Sequence, residues 1–168
     1  MGDPICPVCD ECFSTAIDVE TAAKLFYLHL MELFSSVPEA AEIFQGMMRD
    51  ETMHARTLKE AKKSGLHSSE VHNNAPAFTR SLHRVIREYG EAMKAVPQNL
   101  DKAFDLAFAI ERTEINNIYI NLIVGTRNDA DSGEQFVVKL IREHLQRLYG
   151  LGQLIDKDRR QAILPKSP

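Results

Sequence analysis

The sequence predicts an all-α fold, a four-helix bundle with a helical crossover between its second and third helices. Apolar residues recur near a 3.6-residue period along almost the whole chain, and no stretch alternates as a strand does. Turn-forming residues fall mostly between these periodic segments. The 168 residues match one domain, at about 150 residues per domain.

The first segment runs from about Phe13 to Phe34, with Ala16, Ile17, Ala23, Tyr27, Leu30, Met31 and Phe34 on one face. Ser36-Val-Pro-Glu39 has the form of a capping box with proline in the first turn, so a second helix is expected from near Val37 to Ser64, where Gly65 stops it. Residues 66–76 are polar, contain Pro76 and read as a loop. A shorter helix follows, carrying Phe78, Leu82, Val85, Ile86, Tyr89 and Met93, and ends before Pro97. This is the crossover. The third long helix spans about Leu100 to Val124 and ends at Gly125, and residues 126–133 form a turn-rich connection. The last runs from Glu134 to about Ile155. Three regions result: a Cys-containing N-terminal segment (1–12), the bundle (13–155) and a polar C-terminal tail (156–168).

Composition excludes several functions. The chain carries 24 acidic and 20 basic side chains, a formal charge of −4, so no nucleic-acid partner is expected. No apolar run approaches the ~18 residues a membrane span needs. The start, MGDPICPVCDEC, has neither the basic nor the apolar region of a secretory leader, which points to the cytoplasm.

Several charged residues fall on the wrong faces. Glu20 lies inside the first apolar stripe, and Glu51 and His54 share a face with Phe44, Met47, Met48, Ala55 and Leu58. Glu111 is central among Phe104, Ala107, Phe108, Ile115, Ile118 and Leu122, with Glu114 one turn on. His144 falls amid Val137, Leu140, Ile141, Leu148 and Leu151. An unpaired buried carboxylate costs several kcal/mol, and four close together also repel. Protonation, buried bases or a cation can compensate, but Lys24 and Arg112 are too few for four acids. A pair of divalent ions is the simplest answer, because carboxylates and imidazoles at i, i+3 on facing helices are the ligand set of di-iron and di-manganese bundles.

With these residues the sequence resembles the rubrerythrin branch of the ferritin-like superfamily. The resemblance covers about residues 13–155: Glu20 followed by Tyr27, then Glu51-Thr-Met-His54, then Glu111-Arg-Thr-Glu114 with Tyr119, and finally His144. Ile141 stands where the family carries a bridging carboxylate; rotating the helix would offer Glu143 and Gln146 instead, but the apolar stripe favours His144. The resemblance implies a ferritin-like bundle holding two iron ions, with zinc, manganese or a single metal as alternatives. It implies reduction of hydrogen peroxide or reaction with oxygen, with electrons from a separate donor protein. Glu51 would bridge the ions, His54 and His144 would each complete one, Glu20 and Glu111 would be terminal or chelating, and Glu114 could move on and off. Tyr27 and Tyr119 would hydrogen-bond the ligands or peroxide, or else serve as core aromatics. Iron oxidation with sequestration, metal binding alone, and a bundle without chemistry are the alternative functions. With the four glutamates counted out, acids and bases balance; such a near-neutral exterior favours a homodimer.

Cys6-Pro-Val-Cys9-Asp-Glu-Cys12 is the other unusual feature. No second cysteine pair occurs here, so a rubredoxin-type module of the kind that accompanies rubrerythrins is not expected. A metal completed by histidine or by another subunit, a redox dithiol, and reduced thiols at a loose terminus all remain open. His29, His67, His72 and His83 read as surface or boundary residues.

Overall fold

The computed structural model describes residues 7–64, 69–95, 97, 99–117, 122, 142, 143 and 146–155. All regular structure among them is helical: α1 (Pro7–Leu33), α2 (Pro38–Ser64), α3 (Ser69–Lys94) and α4 (Leu100–Asn117), followed by a helical stretch at 146–155. The all-α expectation holds. No helix among the described residues is long and apolar enough to cross a membrane.

The α1–α2 turn follows from its residues. Phe34 N–H donates to the Leu30 carbonyl at 2.9 Å, and Val37 N–H closes onto the Phe34 carbonyl, also at 2.9 Å. The Val37 carbonyl then accepts the first bond of α2, from Ala41 N–H at 3.0 Å. Pro38 occupies the first helical position, where its missing N–H costs nothing. Helix α4 starts at a true N-cap: Asn99 Oδ1 accepts from Lys102 N–H at 2.9 Å, and the Asn99 carbonyl accepts from Ala103 N–H.

Two boundaries differ from the sequence reading. Helix α1 begins at Pro7 rather than near Phe13, so the second half of the Cys-containing segment belongs to the helix. Cys9 and Cys12 are fully buried, and with Phe13 and Ala16 they continue the apolar stripe backwards. Thiols this well buried also pack as small hydrophobes. Helix α3 begins at Ser69 and contains Pro76. Its buried face, Val71, Ala75, Thr79, Leu82, Val85 and Tyr89, has helical spacing from the start, and Pro76 lies on the exposed side. There the ring meets solvent rather than a packed neighbour, and tertiary burial outweighs the proline's local cost.

Helix α1 packs along both α2 and α3, and α4 packs against α3. Aromatic rings fill the centre: Phe26 meets Tyr27 edge-on at 5.2 Å and Tyr89 at 5.6 Å, while Tyr27 stacks on Phe44 at 6.5 Å. Each fully buried ring contributes roughly 1.5–3 kcal/mol of transfer free energy. At the far end Lys62 ties α2 to α1 through Asp10 at 2.9 Å and Ser14 at 2.7 Å.

The stretch 146–155 docks on α2. Arg147 Nη2 donates to Asp50 Oδ1 at 3.1 Å, while Nε donates to Oδ2, a two-pronged pair. Gly46 makes room for it, since a Cβ there would run into the Arg147 guanidinium. Arg147 is 41% exposed and Asp50 18%, so the pair is worth only about 1 kcal/mol. Asp50→Ala and Arg147→Ala are each expected to cost about that much in denaturant unfolding, and the double variant no more than either alone. Additive losses would show that the two side chains are not coupled.

Candidate metal centre

The site is built from three helices whose apolar faces each admit an acid. On α1, Glu20 sits between Ala16, Ala23 and Tyr27, all fully buried. On α2, Glu51 and His54 lie one turn apart on the face that also buries Phe44, Met47 and Leu58. On α4, Glu111 follows Phe104, Ala107 and Ile110. Exposure is 0% for Glu20, 1% for Glu51, 3% for His54 and 2% for Glu111. No part of this cluster meets bulk water.

His54 Nδ1 lies 2.9 Å from Glu51 Oε2 and 3.5 Å from Glu20 Oε2. One donor atom from each of the three falls within 4.8 Å of the others, the single such group of metal-binding side chains among the described residues. Glu111 is buried outside this group, and the Tyr27 hydroxyl donates to its Oε1. That bond spans 84 positions and joins α1 to α4.

Without a metal, protons carry the compensation. Burial pushes the Glu20 carboxyl up to about 8, against the pull of His54 and with the repulsion of Glu51 adding to it. Burial alone would depress the His54 imidazole, but the hydrogen bonds and charges of Glu20 and Glu51 outweigh it and raise the ring to about 10. At neutral pH the metal-free site is thus an imidazolium held by carboxyl groups, with Nδ1–H donating to Glu51. Two carboxylates and an imidazole on adjacent helices suit a borderline divalent ion such as iron(II), manganese(II) or zinc(II), which would take the place of those protons.

The structure therefore brings together Glu20, Glu51 and His54 and places Tyr27 on Glu111. Glu114 stands on α4 one turn beyond Glu111, but its side chain lies outside the described residues, as do Tyr119 and His144. Of the boundary histidines, His72 is exposed on α3 and its Nδ1 lies 3.7 Å from Cys9 Sγ on α1. Helical periodicity on each segment alone could not have paired these two.

Residues 11–123 match the family model described as Rubrerythrin. No curated protein and no solved structure gives a match.

Glu20 and His54 both bind their protons more tightly in the folded chain than in the unfolded one. The stability this gives is complete at low pH and fades as pH rises, between 4.5 and about 8 for Glu20 and between 6.5 and about 10 for His54. The melting temperature of chelator-treated protein should accordingly fall between these limits. Glu20→Gln should flatten the lower part of the profile; an unchanged slope in that variant would remove Glu20 from this role.

Proposed function

The chain belongs to the rubrerythrin family, and on that premise we propose that it is a non-haem di-iron oxidoreductase that reduces hydrogen peroxide or reacts with oxygen. The observation that carries the reading is the buried Glu20–Glu51–His54 cluster, whose donor atoms lie within 4.8 Å of one another. These three would hold metal together with Glu111, and Glu114 and His144 would complete the set. Bound iron would supply the electrons, one per ion.

The protein's own contribution is placement and exclusion. Glu20, Glu51 and His54 share their helix faces with Ala16, Ala23, Met47 and Leu58, all fully buried, which would keep water from the cluster. Glu51 would hold metal beside His54, whose Nδ1 lies 2.9 Å from its Oε2. Tyr27 holds one Glu111 oxygen and fixes the rotamer that carboxylate presents, and its hydroxyl is a proton held ready at the edge of the site. Tyr119 would play a like part. Electrons would arrive from a separate donor protein, and the chain would work in the cytoplasm as a homodimer.

A second reading is oxidation of iron(II) with sequestration. Both readings use the same ligands and differ in substrate.

Protein purified without chelator should carry about two transition-metal ions per chain. Fewer than about one sinks the di-metal reading, as would full metal content in Glu51→Ala. Turnover of peroxide with a reduced donor, set against oxidation of added iron(II) by oxygen, separates the two readings. Tyr27→Phe should lower the favoured activity about 10- to 100-fold while metal content stays near normal; undiminished turnover would leave Tyr27 as a core aromatic.

A further inference from the structure

The stretch 146–155 and α2 meet at Gly46, closer than a larger residue would allow. Gly46 is buried, and a Cβ there would come within 3.0 Å of Arg147 Cζ. Glycine inside a helix is unfavourable against alanine, so its presence here marks a need for room. One turn earlier the seam continues, with Ile43 Cδ1 lying 3.7 Å from a Cβ built on Gly150. On this seam Arg147 grips Asp50 with two donors, Nη2 to Oδ1 at 3.1 Å and Nε to Oδ2. The next residue of α2 is Glu51, buried in the metal-binding cluster.

We propose that Asp50 and Arg147 are positioning residues of the metal centre: their pair holds the α2 backbone where Glu51 and His54 meet Glu20. The inference rests on the metal reading of that cluster and goes beyond it, since neither residue of the pair is a ligand. Magnitudes separate this role from a share in the fold. Arg147 is 41% exposed and Asp50 18%, and ion pairs so open to water contribute little to stability. Metal affinity is more sensitive to geometry, because a site must hold its donors to within about 0.5 Å. Groups outside the ligand set are commonly worth about 10- to 100-fold in affinity. A contact too weak to decide folding is thus strong enough to decide binding.

The pair suits this work in two ways. Parallel hydrogen bonds to both carboxylate oxygens fix direction as well as distance, which the single ammonium of a lysine does not. The pair also acts on the peptide beside Glu51, whose Oε2 lies 2.9 Å from His54 Nδ1, so a displacement at Asp50 reaches both ligands of α2. The other ion pair of α2 supplies the contrast. Lys62 holds Asp10 at 2.9 Å and is likewise half-exposed, but it stands about two turns beyond His54, away from the cluster.

Cobalt(II) affinity of full-length, chelator-treated protein is measured by competition with a coloured chelator, counting only the binding that Glu51→Ala abolishes. Asp50→Ala, Arg147→Ala and Arg147→Lys should each weaken that binding about tenfold, and Lys62→Ala should leave it unchanged. The signs separate placement from charge. Acting through space alone, loss of the Asp50 anion would weaken cation binding, loss of the Arg147 cation would strengthen it, and lysine would change nothing. Tighter binding in Arg147→Ala, unchanged binding in Arg147→Lys, or an equal loss in Lys62→Ala overturns the proposal. Denaturant unfolding confirms that each variant is folded, and Arg147→Lys, the mildest change, decides the matter if an alanine variant is not. An unaltered chain with no Glu51-dependent cobalt binding sinks the metal reading and this inference together. An unaltered chain that binds cobalt no better than the Asp50 and Arg147 variants sinks this inference alone.

Discussion

Glu20, Glu51 and His54 share one small volume inside an apolar bundle, and the cost of holding charge there governs what surrounds them. A lone carboxylate so deeply buried would cost several kcal/mol. The metal-free chain meets that cost with protons: Glu20 keeps its own up to about pH 8, and His54 keeps a positive ring up to about pH 10. Metal bound there would take the place of those protons.

Helix α1 is the common element. It faces α2 along one side and α3 along another, and reaches α4 through Tyr27 and Glu111. Its 27 residues carry an acid for the central cluster, the hydroxyl that steadies Glu111, and near its start the thiol that meets His72. The aromatic packing of Phe26, Tyr27, Phe44 and Tyr89 lies at the junction of three helices and sets their separation. Small residues at Ala16 and Ala23 leave Glu20 the space it needs beside its partners.

How much of this the sequence disclosed depends on the kind of signal. Glu20, Glu51, His54 and Glu111 stood out because each interrupts an apolar stripe, and a period of 3.6 residues reports burial without knowledge of neighbours. All four are buried. The same logic could not show that Glu111 keeps company with Tyr27 and lies outside the tight group, because that is decided by the relative placement of α1 and α4. Helix ends were read well where local chemistry sets them, as at Pro38, and poorly where burial overrides it. The Cys run read as a segment outside the first helix and Pro76 as a break, yet Cys9, Cys12 and Pro76 all stand in helices that packing sustains. The Cys9–His72 approach was illegible for the plainest reason, since 63 positions separate the two and no periodicity links them.

Asp50 and Glu51 are neighbours in sequence, and on a helix neighbours point about 100° apart. One holds Arg147 at the rim while the other enters the core. Helix α2 is therefore fixed in rotational phase from two directions at once. A turn of one residue about its axis would carry Asp50 inward and Glu51 outward, breaking the outer clasp and the inner cluster in a single motion. Gly46 lets the clasp sit close enough to act as that stop. Azimuth, a degree of freedom that packing of smooth apolar faces leaves soft, is set here by two carboxylates with different addresses.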